Sequence, residues 1–532
     1  MVMNPASISE EPVSAPRSRL AGLLVALLLF LASFSVIVAT IDDYGLTWDE
    51  KCYIDNASSI ERWFAQITPS SFSYDSVNRY WNSQWKDDLT GNVHPPFIKL
   101  SAIVFRHLIG SALFDNPLYQ YRVSTAFWAS LLVTTLFLVI RRLTGSTLWG
   151  VLGGMTFLAV PRFFAEAHLY TTDMVIASLG FCAMSIFLFG RCPRTRILWG
   201  GVVLGAALAT KFTGILTLLL IASMVVVSGE RKRFLREYAG LLLVAGFFFS
   251  LFNLPLLFNP QRELGIYFSS VLQREHIISI STLYFGRIYD YRLPLLSPWV
   301  LFGITLPPAV VVTALIGIIT GGLRLCKGRD LFAYLSLVPF MLLMAIYMLP
   351  GTPKHDGIRL FSSAWPFIIL LSSAGCCRIE GLVPRRFRAG LLIGLLSLVM
   401  AAVVAMADHP YQLSYYNRFI GGTKGAQERG FIVSYWYDAF NRDFFRQVSR
   451  ITGNRDLGIY SYPNDRIVAW NQEYGLLPAG LRPEPQEGNY RYILILNRIL
   501  TPEMLAYLAR CTPLFLIRTR DGALIGGLYE NR

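Results

Sequence analysis

The sequence is short of charge. Only 15% of its 532 residues are Asp, Glu, Lys or Arg, while 54% are hydrophobic and the mean hydropathy is +0.45. A soluble chain carries about a quarter charged residues, so a soluble globular protein is excluded. The seven cysteines contain no CxxC pair, which removes zinc-ribbon and dithiol redox readings. The six histidines contain no HxxH or HExxH spacing, so no metalloprotease-type zinc site is indicated. There is no convincing internal repeat, and no low-complexity tract beyond the polar first 18 residues. The net charge of +14 suggests nucleic acid at first sight. Its basic residues, however, lie in short gaps between apolar runs and make no basic face elsewhere, so nucleic acid is not an expected partner.

Apolar runs are abundant. They recur at about the length a helix needs to cross the hydrocarbon core, over 20–41, 119–140, 145–163, 173–190, 197–210, 212–228, 238–258, 298–321, 331–349, 359–376 and 389–406. The first run is longer than the apolar region of a cleaved signal peptide and reads as a retained helix. Every second gap is basic: Arg17 and Arg19; Arg141 and Arg142; Arg191, Arg194 and Arg196; "ERKRFLRE"; "RLCKGRD"; "RIEGLVPRRFR". The positive-inside rule then places the amino terminus in the cytoplasm and the carboxyl terminus outside.

The expected fold class is a polytopic α-helical membrane protein of about 11 transmembrane helices with a small external C-terminal α/β domain. It divides into a cytoplasmic tail (1–19), a transmembrane domain (20–406) and an extracytoplasmic domain (407–532). Residues 42–118 and 259–297 are expected as long external loops. In the first, "PFIKLSAIVFRHLIGSALF" is apolar but carries Lys99, Arg106 and His107, the composition of a helix lying in the interface. The C-terminal part alternates strand-like "LGIYSY", "RYILILNR" and "PLFLIRT" with helix-like "NRDFFRQVSRI" and "PEMLAYLAR". Cys52 and Cys511 both fall outside, as two free thiols or as a pair.

With this topology the unusual residues gather on one side: Asp49, Glu50, His94, Glu166, His168, Asp173, Lys211, Lys354, His355, Asp356 and Arg359. Most stand within a few residues of a helix end, where ionisable groups at membrane depth face a cavity. A lipid-linked phosphate entering from the bilayer would be held by cations, with Lys211, Lys354, His355 and Arg359 as candidates. A sugar phosphate neutralised in this way leaves without an acid. One carboxylate base for the incoming nucleophile is then enough, and Asp49 or Glu50 fits that role. His94, His168 and His355 are the only candidates for a divalent metal, and no cofactor is required by this chemistry.

The motifs resemble the GT-C class of integral-membrane glycosyltransferases, in the branch of family 39 with protein O-mannosyltransferases and the lipid A aminoarabinose transferase. The resemblance covers roughly residues 20–440. It rests on "TWDEKCY", "HPPFIKL", "YRVSTAFWASLLVTTLFLVIRRLTG", "EAHLYTTDMVIASL", "ATKFTG", "LPLLSPWVLFGITLPP" and "KHDGIRLFSSAWPF", in that order. "HPYQLSYYNRFIGGTKGA" continues it toward bacterial members. It implies a polyprenyl-phosphate sugar donor, transfer with inversion at the external face, and Asp49 as the catalytic carboxylate with Glu50 beside it. The family's acid at the fourth span maps to Asp173 and its lysine between the short helices to Lys211. Relatives carry an arginine before that acid, where "FFAEAHLYTTD" offers Glu166 and His168 instead. The acceptor stays open among protein, lipid A and envelope glycan, and the expected location is the inner membrane. A transporter or flippase of a lipid-linked or anionic substrate is the rival reading. It would place charge near mid-span and show repeats.

Overall fold

A computed structural model describes residues 16–82, 94–227, 230–272, 280–290, 292–327, 330–453, 457–477 and 480–531. Most of the expected cytoplasmic tail and part of each long loop lie outside these residues. The described chain is mostly helical. Eight of its helices are long and apolar enough to cross a membrane, which makes this a multi-pass integral membrane protein. Two shorter apolar helices, Thr147–Ala159 and Gly214–Val227, stand among them.

Each expected run falls on helix, but four are divided: 145–163 into Thr147–Ala159 and Pro161–Glu166, 238–258 into Arg231–Phe252 and Pro255–Phe258, 359–376 into a 3-10 turn Arg359–Ala364 and helix Trp365–Leu382, and 298–321 as well. The 298–321 run is two helices, Ser297–Thr305 and Pro308–Lys327. Pro307 and Pro308 force the break, because a residue before proline is driven out of the helical region. Leu306 accordingly has φ −95° and ψ 152°. The carbonyls orphaned there are taken up by Asn417, whose Nδ2 donates to the oxygens of Gly303 and Leu306 at 2.7 Å each. The "HPYQLSYYN" stretch thereby acquires a physical role. Besides this cap, His409 Nε2 lies 2.8 Å from Asp43 Oδ2, and Gln412 accepts from Tyr44 Oη at 2.7 Å. It staples the first helix to the helix break.

Within the bundle, glycines set the closest approach. Side chains at Gly317 or Gly375 would run into the Leu371 and Thr313 carbonyls of the facing helix, the small-residue contact on which membrane helices pack. At the bundle end that holds the arginine-rich gaps, charges pair with one another: Arg196 with Glu237 at 3.0 Å, and Asp330 with Arg324 and Arg378 at 2.6 and 2.8 Å.

The opposite end is covered by the two long loops and the C-terminal part. The first loop folds into helices Trp48–Ala65, Tyr74–Trp81 and Phe97–Phe105, the last continuing as a π turn over Arg106–Gly110. Lys99, read as part of a polar face, is instead buried and donates to the His94 carbonyl at 2.6 Å. The second loop carries helix Pro260–Leu272 and a hairpin, β1 (Thr282–Tyr284) and β2 (Arg287–Tyr289).

In the C-terminal part, β3 (Leu457–Tyr462), β4 (Leu481–Pro483), β5 (Tyr492–Leu496), β6 (Thr512–Arg518) and β7 (Leu524–Glu530) form one sheet in the order β4-β3-β5-β7-β6. β3 runs parallel to both neighbours, and β7 antiparallel to β5 and β6. The sheet shares a hydrophobic core with the first loop, in which Leu494 and Ile525 pack with Ile54, Ile60 and Tyr121. All seven cysteines are free thiols, so Cys52 and Cys511 are not paired.

Candidate functional site

Where the first loop, the turn at 211–216, the 350–359 turn and the C-terminal part meet, they enclose a cavity of about 1770 Å³. Of the residues singled out in the sequence, Asp49, His94, Asp173, Lys211, Asp356 and Arg359 line it. Glu50, Glu166, His168, Lys354 and His355 do not.

The separation of Asp49 from Glu50 is a matter of helix geometry. Thr47 is the N-cap of helix Trp48–Ala65 and Glu50 its N3 residue, which makes Thr-x-x-Glu a capping box. Successive residues of a helix point about 100° apart, so when Glu50 turns inward Asp49 turns toward the cavity. Glu50 Oε2 accepts from Thr47 N–H at 2.9 Å and from Arg122 Nη2 at 2.8 Å. Its Oε1 accepts from Arg122 Nε at 2.7 Å and Tyr170 N–H at 2.8 Å. Arg122 donates its remaining hydrogens to the carbonyls of Ile41, Tyr44 and Gly45 at 2.6 to 2.9 Å. This pair is fully buried and fastens the first helix, the first loop and the 170–172 turn together. Glu50 is therefore held away from the cavity and presents no oxygen to it.

Asp49 keeps 26% of its side-chain surface open, and its Oδ2 accepts from Arg359 Nη1 at 2.9 Å. Burial raises its carboxyl above the usual range, with Arg359 pulling against it and Asp173 and Asp356 adding to it. Arg359 is braced by the face of Trp436, 3.9 Å from its guanidinium carbon, and lies 3.5 Å from Asp356 Oδ2. Arg498 reaches over from the C-terminal part to Asp356 Oδ1 at 3.1 Å. Burial pushes the Asp356 carboxyl up, but Arg498 and Arg359 outweigh it and hold it below the usual range. Lys211 Nζ donates to Asp173 Oδ1 at 2.6 Å across the gap between the fourth span and the short-helix turn. Phe97 N–H donates to the Ala209 carbonyl at 2.8 Å, which ties "HPPF" to "ATKFTG" and seats His94 beside that pair's cavity.

The remaining candidates lie outside the cavity lining. His168 has both ring nitrogens engaged, Nε2 with the Thr40 hydroxyl at 2.8 Å and Nδ1 with the Phe164 carbonyl at 2.7 Å. Burial lowers its pKa to about 3, so the ring is neutral. Lys354 donates to the Leu349 carbonyl at 2.9 Å, and burial lowers its pKa. His355 is buried beside it. Glu166 is buried behind the site, its carboxyl pushed well up by burial and by Asp173. Neither Lys354 nor His355 is among the residues that line the cavity.

Sequence reasoning missed Arg122, Arg162, Trp436 and Arg498. Arg162, whose Nε donates to the Tyr415 carbonyl at 3.0 Å, stands one residue before the stretch where an arginine was found wanting. Arg122 carried a signal, since a lone arginine in an apolar run demands a buried partner. Among the described residues no group of three or more His, Cys, Asp or Glu is placed to hold a metal ion.

No family model and no curated protein matches the chain. Among solved structures it is similar to ArnT from Cupriavidus metallidurans bound to undecaprenyl phosphate, at 15% identity over 98% of this chain and 99% of that one, with a TM-score of 0.46. It is also similar to the Archaeoglobus fulgidus oligosaccharyltransferase in complex with zinc and sulfate, at 11% identity over 94% of this chain and 73% of that one, TM-score 0.48. A third likeness is to archaeal oligosaccharyltransferase AglB from Archaeoglobus fulgidus with an inhibitory peptide and a dolichol-phosphate, at 12% identity over 95% and 74%, TM-score 0.46. At identities and scores this low, function rests on the chain's own residues.

Proposed function

We propose that the protein is a glycosyltransferase that moves a sugar from a polyprenyl-phosphate donor to an acceptor hydroxyl or amine at the outer face of the inner membrane, with inversion. One observation carries the reading. A partly open carboxylate, Asp49, lines a large cavity together with two buried cations that can neutralise a leaving phosphate, Arg359 and Lys211. The cavity's apolar flank, with Ile215, Leu216, Ile266, Ile346 and Leu349, suits the first isoprene units of such a donor.

The acceptor O–H or N–H gives its proton to Asp49 as its heavy atom attacks the anomeric carbon. The bond from that carbon to the phosphate oxygen breaks, and the electron pair leaves on the phosphate. Lys211 and Arg359 stabilise that charge. Lys211 has two further N–H donors beyond its bond to Asp173. Glu50 positions Asp49 through the helix cap. With two cations to stabilise the phosphate, no metal or cofactor is required, and activity is expected to survive chelation by EDTA.

The test is release of polyprenyl phosphate by the purified protein from a panel of polyprenyl-phosphate sugars, with envelope extract as acceptor. Release that Asp49→Asn abolishes is expected. Undiminished release by folded Asp49→Asn, or none from any donor, overturns the reading.

A further inference from the structure

The C-terminal part supplies Tyr437, Asn464, Arg466 and Arg498 to the cavity wall. Of these, Arg498 touches the supports of Arg359. It follows strand β5 and is largely buried. Its Nη1 donates to the Tyr435 carbonyl at 3.1 Å, and its Nη2 lies 3.1 Å from Asp356 Oδ1. Trp436, next after Tyr435, lays its ring 3.9 Å from the Arg359 guanidinium carbon, and Asp356 Oδ2 faces Arg359 Nε at 3.5 Å. One side chain of the C-terminal part thus holds both the ring and the carboxylate against which Arg359 rests.

Arg359 is a shared cation. Its Nη1 donates to Asp49 Oδ2 at 2.9 Å while its Nε faces Asp356. A single guanidinium cannot neutralise two carboxylates, so its hold on Asp49 depends on how far Asp356 is satisfied from elsewhere, and Arg498 is the second cation on Asp356. The turn that carries Asp356 is shaped for this. Asp356 stands at φ +56° and Gly357 at φ +68°, a left-handed backbone that Asp tolerates better than most residues. The charges acting on Asp49 come from Arg359, Asp173, Asp356 and Lys211. Cys52 and Tyr53, on its own helix, are kept protonated by burial. Glu166 acts on Arg359, and His355 on Asp356.

We propose that Arg498 and Asp356 are positioning residues of the transfer reaction: Arg498 neutralises Asp356 and so leaves Arg359 to hold Asp49. The inference rests on the transferase reading and adds two residues to its machinery. A plain staple between the C-terminal part and the turn predicts that losing either partner acts alike. The positioning role predicts opposite signs. Without Arg498, Asp356 draws Arg359 away and repels the Asp49 carboxylate, so Asp49 takes up its proton at a higher pH. Without the Asp356 charge, Arg359 turns wholly to Asp49, which stays ionised to a lower pH.

The test is the titration midpoint of Asp49 in the full chain in lipid nanodiscs, without donor. It is read from pH-difference infrared spectra of the carboxyl bands, subtracting the same spectra taken with Asp49→Asn. Arg498→Met is expected to raise the midpoint and Asp356→Asn to lower it, each by roughly one pH unit. The double variant should match Asp356→Asn alone, because Arg498 acts through Asp356. Should Arg498→Met not fold, Arg498→Lys, which keeps the charge without the fork, is expected to raise the midpoint by less. Shifts in the same direction, no shift with Asp356→Asn, or an additive double variant would overturn the proposal. Because no donor is present, failure here is separate from failure of the Asp49-dependent release.

Discussion

The two ends of the helix bundle spend their charges differently. At the arginine-rich end the pairs lie within or between the basic gaps and stand away from the cavity lining. Arg324 with Asp330 is part-exposed and six residues apart, while Arg378 with Asp330 and the buried Arg196 with Glu237 are 48 and 41 apart. At the cavity end, the partners come from distant parts of the chain: Asp49 with Arg359, Asp173 with Lys211, Glu50 with Arg122, Asp356 with Arg498. The pairs at the cavity end include ones whose members line the cavity, whereas an exposed pair such as Arg324 with Asp330 contributes little to stability. A second contrast lies inside the cavity end. Glu50 is saturated by donors and Asp49 is not, so two adjacent carboxylates divide into one locked in the protein and one that lines the cavity.

The comparison can be broken most severely at Asp49. Asp49→Asn is expected to lower turnover by about 10²–10⁴-fold, the usual contribution of a general base, with the melting temperature little changed. Next comes the buried pair. Arg122→Met leaves Glu50 charged without a partner and should destabilise the fold by about 3–5 kcal/mol, read as loss of monodisperse protein or a large fall in melting temperature. A similar loss of stability from Asp49→Asn would erase the distinction between the two carboxylates.

Lys211→Met should weaken donor binding by about 10–100-fold, the worth of a charge-assisted hydrogen bond, measured by binding of polyprenyl phosphate. The pH dependence sharpens the same contrast. Because burial raises the Asp49 carboxyl, the base is lost as pH falls through a value above the ordinary one of about 3.9, and the acid limb of kcat/KM should sit correspondingly high. Arg359→Ala removes the opposing cation and should move that limb further up. A limb at or below the ordinary value would contradict the assignment. The smallest effect is expected at the other end. Arg324→Ala should cost no more than about 1 kcal/mol and leave transfer unchanged.

Much of this was legible in the chain. Runs of apolar length mark helices because the backbone in hydrocarbon must satisfy its own hydrogen bonds. Charges at helix ends singled out Asp49, Asp173, Lys211 and Arg359, which do meet. The same rule also drew in His168, Lys354 and His355. Proximity in sequence to a helix end does not say which way a side chain turns, and these three turn into the protein. The capping box was written in Thr47-x-x-Glu50 and would have separated Glu50 from Asp49. Asn417 and Arg498 gave no comparable sign, since their partners lie more than 100 residues away in the chain.

By itself the sequence determined a multi-pass helical membrane protein, charged mainly at the helix ends, with a strand-bearing C-terminal part. Those properties follow from local periodicity and from the cost of charge in hydrocarbon, which each segment meets alone. Only the tertiary structure decided that Asp49 faces a cavity while Glu50 does not, and that the C-terminal part supplies Arg498, Tyr437 and Asn464 to it. Such facts depend on which distant segments pack together, and packing is settled by the whole chain at once.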